Sequence, residues 1–417
     1  MIYVGVDIAK ADHCLAAIDQ MGRIVCKPTA LTQDAEGFRR LGTLLNQLGT
    51  PETVVVGMEA TGHYWVLLAE EIRRLGWQPQ VFNPILTGDA GRTTVRGRKT
   101  DEDDAVSVAK VLRDGGYSAV RLPDAQMADL KRLCRYRQLA VERSANLKKR
   151  LIGYLDLVFP EFQGLFSEPY GATGRAILAK APSARLLASY QARSFTALVR
   201  KASHGRLGLE RVQQLIAAAK TSIAVTRSDT ATEMAVRLTT QEIEVLEAQI
   251  VEFDGQIAKA APTGKDLLMT IPGIGPVLAA VILAEIGSID CFAGRDPRAH
   301  TRTRRKSGVN GVHRLLAFAG LDPRIRESGQ WAGKIRMSKR GSRTLRTAIW
   351  RAAFCAQKHE AFREMHERHR LTMKQHAKVA LSHVARKLVQ AIYGVLRYQT
   401  AFDPHAFKHG VTSKVAA

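Results

Sequence analysis

Apolar residues alternate with others from Ile2 through Val4 and Val6 to Ile8, and a second run, Val54, Val55 and Val56, is apolar without a break. A period of two builds a strand with one buried face, and an unbroken apolar run builds a strand covered on both faces. The start of the chain is therefore committed to a sheet. The segments CLAAID and RIVCKPTA follow after short turns and read as two further strands, giving an opening meander of three. Next come a helix near 33–48, the strand TVVVGME, a helix near 62–75 and a short strand QPQVFNP closed by Pro84.

Acidic residues interrupt this apolar pattern at costly places. Asp7 lies within the first strand and Glu59 ends the valine strand, where a carboxylate loses solvation and needs a neutralising partner. A third acidic element opens a helix at Lys99-Thr100-Asp101-Glu102-Asp103-Asp104-Ala105, and Asp101 and Asp104, three apart, share a helical face. Capping explains part of this third cluster, since Thr100 is a good N-cap, Asp103 can close a capping box and acids favour the helix dipole. It does not explain Asp7 or Glu59. Four oxygen donors without a His or Cys set select a hard cation, Mg²⁺ or Mn²⁺, and suit phosphodiester chemistry. The order β-β-β-α-β-α-β with acids so placed resembles a ribonuclease H-type mixed sheet.

Beyond the sheet the pattern turns helical. Leu130, Leu133, Leu147, Leu151, Leu155 and Val158 mark a helix over 125–158 that stops at Phe159-Pro160, whereas 161–227, uneven and rich in Gly, Ser and Ala, reads as short helices of a spacer or RNA-contacting module and yields no chemistry. A second long helix over 229–260 carries Ile243, Leu246, Ile250, Phe253 and Ile257 at 3-4-3-4 spacing. That seam predicts a coiled coil and self-association, with packing inside the chain as the alternative. Pro272-Gly273-Ile274-Gly275 between apolar segments reads as the turn of a helix-hairpin-helix, with Gly273 and Gly275 letting backbone N–H groups approach a phosphate. A tight turn between packed helices is the alternative. His359, His366, His369, His376 and His383 read as solvated helix residues, and the last long segment, AKVALSHVARKLVQAIYGVL, as an apolar helix packing on the C-terminal domain.

Charge separates the halves. The net charge is +23, yet residues 1–100 hold eleven Lys/Arg against ten Asp/Glu, while residues 291–350 hold fifteen against three. Arg302, Arg304, Arg305, Lys306, Arg324, Arg326, Lys334, Arg336, Lys339, Arg340 and Arg343 are the candidate contacts to a nucleic-acid backbone. Ser328, in a Ser-Gly pair among them, is from residue types alone a loop serine, because no nearby His or Asp completes a triad. Five widely spaced cysteines, at 14, 26, 134, 291 and 355, argue against both a disulfide framework and a zinc site. No apolar run approaches the roughly 20 residues of a membrane span, and the segment MIYVGVDIAK lacks a signal-peptide pattern. A cytoplasmic, nucleoid-associated location without a membrane partner is expected.

The segments VGVDIAK, GMEATGHYW, KTDEDDA, LCRYRQL, IPGIGP, FAGLDPRIRESG and SKRGSRTLR, in this order over nearly the whole length, resemble the DEDD-type insertion-sequence transposases of the IS-one-ten family. The resemblance implies a RuvC-like domain over 1–124, a helical linker and coiled-coil region over 125–262, and a mainly helical C-terminal transposase domain over 263–417. It further implies donor and target DNA as substrates, a structured non-coding guide RNA and a homodimer or tetramer with shared sites. Asp7, Glu59, Asp101 and Asp104 carry over as the metal tetrad, and Ser328 as the nucleophile of a phosphoserine intermediate. The basic segment 294–313 is longer than the family pattern and is expected to be an added nucleic-acid-binding loop. Two rivals stand beside this reading: a stand-alone Holliday-junction-type nuclease using only the carboxylate–metal centre, and a non-enzymatic nucleic-acid-binding protein.

Overall fold

The computed structural model describes residues 1–82, 101–115, 124–226, 228–262, 264–293, 311–324, 327–328, 331–332 and 336–408. They form two compact units, Met1–Pro123 and Asp124–Ala417. Among the described residues no helix is long and apolar enough to cross a membrane.

The first unit is built on a five-stranded sheet of β1 (Ile2–Asp7), β2 (Asp12–Ile18), β3 (Ile24–Thr32), β4 (Val54–Glu59) and β5 (Gln80–Phe82), in the order β3-β2-β1-β4-β5. The first three strands run antiparallel as a meander, and β1, β4 and β5 run parallel. Pro28 cannot donate to a ladder, so β3 takes the edge, and the β2–β3 register shifts beside it, between Leu15 and Ala17. Helices α1 (Ala35–Leu48) and α2 (Trp65–Arg74) supply Leu41, Leu45, Leu68 and Ile72 to one face of the sheet, against Val4, Val6 and Val56. Asp34 starts α1 by accepting the Gly37 N–H at 2.8 Å. Helix α3 (Asp101–Asp114) covers the other face, with Val108 and Leu112 against Phe82, Tyr3 and Val55. The expected strands and helices of this unit are present, apart from the Asn83-Pro84 end of the last strand, which lies outside the described residues.

The second unit is helical. Its frame is an antiparallel pair, α4 (Ala125–Val158) and α5 (Thr230–Ala260), started by Asp124 and Asp229 through their carboxylate caps. Arg137 binds Asp254, with one bond at 3.1 Å, while Ser144 and Lys148 both bind Glu247, at 2.8 and 2.6 Å. The apolar seam of α5 is thus filled inside its own chain: Val236 and Ile243 join a core with Leu151 and Leu155 of α4, and Ile257 a second core with Leu130. Residues 161–226 fold as the short helices expected there, around Phe162, Ile177, Phe195 and Val212. The larger core surrounds α6 (Pro276–Ile286), which is buried from Ala279 to Ile286 and therefore apolar on every side. Around it stand α7 (Gly311–Phe318), α8 (Arg343–Ala356), α9 (Glu360–Glu367) and α10 (Ala377–Tyr398), the last being the apolar helix expected there.

Candidate active site

The parallel register between β1 and β4 pairs Val4 with Val56, Gly5 with Gly57 and Val6 with Met58. One step further, the two strands end side by side on Asp7 and Glu59. Alternation then assigns a face. Val4 and Val6 point into the core under α1 and α2, so Asp7 and Glu59 share the opposite face with Gly5 and Gly57, the face that α3 covers.

The glycines explain how α3 comes so close. A Cβ on Gly5 would run into the Ala105 carbonyl oxygen and the Ala109 amide, and one on Gly57 would lie 2.5 Å from the Leu112 side chain of the same helix. Near Gly22, in the β2–β3 turn at the opposite end of the sheet, stands Arg113 of the last helical turn, 2.5 Å from where a Cβ would be. Helix α3 therefore runs antiparallel to β1, and its first turn lies over the end of the sheet that carries Asp7 and Glu59. Asp104 is half-buried there, one residue before the buried Ala105, whereas Glu102 and Asp103 are exposed. That difference selects Asp104 from the acidic run. Asp101 is the first residue of the helix; its side chain and the proposed cap Thr100 lie outside the described residues.

The edge is further shaped by residues that carried no signal in the sequence. Thr61 Oγ1 donates to Glu59 Oε2 at 3.5 Å, and the Ala9 N–H, two residues after Asp7, donates to Nδ1 of His13 at 3.4 Å. His13 is fully buried, so burial pushes its imidazole below the usual range, against the opposing pull of Asp12, and Nε2 is left without a partner. Neutral and enclosed, it holds the turn that follows Asp7. Among the described residues, no group of three or more His, Cys, Asp or Glu is gathered tightly enough to hold a metal ion. The donor chemistry at this sheet end, carboxylate oxygens only, is nevertheless that of a hard divalent cation.

Ser328 belongs to the second unit, on a nested excursion between α7 and α8. Two antiparallel bridges form it: β6 (Pro323–Arg324) with β9 (Arg336–Met337) outside, β7 (Glu327–Ser328) with β8 (Trp331–Ala332) inside, so that Ser328 pairs with Trp331 close to the turn. Its base is tightly closed. The Ser338 and Lys339 amides donate to Asp322 and Gly320 carbonyls at 2.9 and 3.1 Å, the Ser338 hydroxyl bonds the Asp322 carboxylate, and the Ser342 amide donates to Phe318 O at 2.8 Å. Lys339 and Arg340 stand exposed at that base, and Arg343 reaches Glu142 on α4 at 3.2 Å. Arg302, Arg304, Arg305, Lys306, Arg326, Lys334, most of the 294–313 segment, and the side chains of Arg324, Ser328 and Arg336 lie outside the described residues.

Beneath the excursion sits Glu285, a carboxylate the sequence did not single out. It is 2% exposed within apolar α6, receives Arg135 at 2.7 and 3.1 Å, and accepts the Ser342 hydroxyl at 2.9 Å, with Lys131 at 3.7 Å. Ser342 in turn caps α8, accepting the Leu345 N–H at 3.1 Å. Burial pushes the Glu285 carboxyl up, but Arg135, Lys131 and Ser342 together hold it below the ordinary range. The two glycines of the 272–275 turn part company. Gly273 (φ +86°) packs where a Cβ would strike the Ala352 carbonyl of α8, while Gly275, the N-cap of α6, has open space around it. The C-terminal histidines also differ from simple solvated residues: His359 and His376 cap α9 and α10, and His369 stacks on His383.

Comparison with known proteins gives two family matches, the first of which runs past the boundary of the first unit to the end of α4. Residues 4–160 match a DEDD-type family described as "Transposase", and residues 265–299 and 305–370 match one described as "Transposase IS116/IS110/IS902 family". The first match spans Asp7, Glu59, Asp101 and Asp104, and the second spans Gly273 and Ser328. The insertion element IS116 uncharacterized 44.8 kDa protein of Streptomyces clavuligerus is 25% identical over 97% of this chain and 96% of its own length. The insertion element IS900 uncharacterized 42 kDa protein of Mycobacterium paratuberculosis is 25% identical over 100% of this chain and 99% of its own.

Proposed function

Because the chain belongs to the IS116/IS110/IS902 transposase family, whose members are DNA-cutting and rejoining enzymes, we propose that it joins donor to target DNA through a covalent link on Ser328, assisted by Asp7, Glu59, Asp101 and Asp104 around a divalent cation. The observation that carries this reading is the β1–β4 register, which brings Asp7 beside Glu59 under the first turn of α3. A DEDD-type domain implies a divalent cation, and these oxygen donors suit Mg²⁺ or Mn²⁺. Such a cation, when bound, supplies Lewis-acid stabilisation of charge on phosphate oxygens.

The protein's own groups then divide the work. The Ser328 oxygen forms a bond to phosphorus as the bond from phosphorus to the leaving strand breaks, and the serine proton ends on the released strand's hydroxyl. A DNA hydroxyl reverses this at the joining step and frees the serine. Lys339, Arg340 and Arg343 at the base of the excursion hold the backbone, without reading its sequence. Choice of sequence falls to a structured non-coding RNA, a reading supported by the basic block 291–350. Exposed Leu238, Val245 and Val251 on α5 support a homodimer or tetramer, in which carboxylates of one copy serve the serine of another.

The test is Ser328→Ala with donor DNA, target DNA and the element's RNA present, read as a denaturation-resistant protein–DNA adduct and as joined product. Both should fall about a hundredfold or more, and a chelator should abolish both. Joining at the wild-type rate by Ser328→Ala removes the serine from the mechanism. Cleavage without joining by the same variant favours the Holliday-junction-type nuclease instead.

A further inference from the structure

Three helices of the second unit, α7, α9 and α10, border an open cavity of about 190 Å³ that the strand-transfer reading does not use. Its apolar wall is Leu316 of α7 and Met365 of α9. Facing it are His383, Arg386, Lys387 and Gln390 of α10, with His313 at the rim. Among the described residues no carboxylate lines it. The volume is below the roughly 300–1,000 Å³ of sites that hold a whole cofactor or drug-sized ligand, and it suits one planar or charged group with its surroundings.

The backbone here is unusual in a way that serves His383. Between α9 and α10 the chain makes a π-helical turn, Arg368–Thr372, a rare conformation that recurs at functional positions. It places His369 parallel to His383, with ring centroids 3.7 Å apart and planes 7° apart. His369 is held in turn, its Nδ1 3.2 Å from Gln375 Oε1 and its carbonyl accepting the Gln375 N–H at 3.0 Å. His383 lines the cavity and His369 does not, so the second ring backs the first. Burial, with His369 and Arg386 beside it, holds the His383 imidazole below its usual range, and near neutral pH the cavity's positive charge rests on Arg386 and Lys387. Lys387 is itself fixed, its ammonium 4.4 Å above the Phe407 ring.

We propose that this cavity is a nucleotide subsite, taking the base of one unpaired nucleotide against the His383 ring while Arg386 and Lys387 hold the adjoining phosphate. A stacking ring backed by a second ring, with an apolar wall beside it, suits the face of a base, Gln390 offers an amide to its edge, and the cations Arg386 and Lys387 suit the phosphate. The proposal rests on the chain handling nucleic acid and is independent of the serine and metal chemistry.

Fluorescence anisotropy of the full-length chain with labelled oligonucleotides of about 12 nucleotides, single-stranded DNA, single-stranded RNA and duplex DNA, tests it. His383→Ala should weaken single-strand binding about tenfold and leave duplex binding within about twofold, with thermal melting to verify the fold. The ratio of the DNA and RNA losses then identifies which strand the subsite serves. His383→Phe, which keeps a stacking ring, should restore most of the affinity, and Arg386→Gln should lower the salt dependence of single-strand binding by about one unit of slope. Single-strand affinity unchanged in both His383→Ala and Arg386→Gln overturns the subsite, as does an equal loss on single strand and duplex. Equilibrium binding is read here without strand transfer, so failure of the strand-transfer mechanism would appear in a different assay.

Discussion

Carboxylates are embedded in apolar elements in both units, but they are handled in opposite ways. Glu285 is sealed inside the second unit and neutralised by Arg135 and Lys131, with Ser342 completing its hydrogen bonds. Asp7, Glu59 and Asp104 are half-exposed, the first two at the end of adjacent strands and the third on the helical turn above them. Half-exposed carboxylates keep their access to solvent and to a cation from it, whereas a buried carboxylate must be matched by the chain's own cations. The contrast separates an acid locked into the architecture from the acids proposed for chemistry, and the separation does not depend on residue type.

The strongest way to break that contrast is to exchange the expected effects. Glu59→Gln should lower strand transfer about a thousandfold, as removal of a principal electrostatic stabiliser does, while changing unfolding free energy by less than about 0.5 kcal/mol. A variant that instead unfolds would move Glu59 into the class of Glu285. Arg135→Ala should do the reverse. It leaves a buried carboxylate short of its main partner and should destabilise the chain by about 3 kcal/mol in denaturant unfolding, with the residual activity of folded protein near wild type. Gly5→Ala sharpens the comparison from another side, since its methyl meets the Ala105 carbonyl. A cost of about 2 kcal/mol for overpacking is expected, together with lost activity, because α3 carries Asp104 away from the sheet end as it shifts.

Acid should resolve the two units by their windows, with the smallest effect. His13 has a folded value below the ordinary 6.5, so the unfolded chain binds the extra proton and the first unit loses stability as pH falls below about 6.5. Glu285 has a folded value below the ordinary 4.5, so its contribution is intact above that pH and is lost as pH falls from there through the folded value. Hydrogen exchange across pH 7 to 4 should show protection in β1 and β2 weakening before that of α6. The opposite order would refute this account of His13.

Much of the first unit was open to reading because strands and helices announce themselves locally. The alternation of Ile2 to Ile8, the valine run and Pro28 at the edge specify which faces are buried and which strand can lie outermost. The acids at 7 and 59 stood out because a carboxylate in or beside an apolar strand is costly wherever the strand lies, and those at 101 and 104 because their spacing puts both on one face of a helix. The sequence alone also determined family membership, through motifs whose order spans both units. Which surface an element meets was decided only by the tertiary structure. The α5 seam looked suited to a second chain and is filled by α4; Gly273 looked suited to a phosphate and packs on α8; Glu285 looked like an ordinary helix residue and joins α4, α6 and the start of α8. Two stacked histidines fourteen residues apart belong to the same class, brought together by a π-helical turn that no periodicity announces. Periodicity and desolvation cost are properties of one segment, whereas a partner is a property of two, and the contact between distant segments exists only once the chain has closed around it.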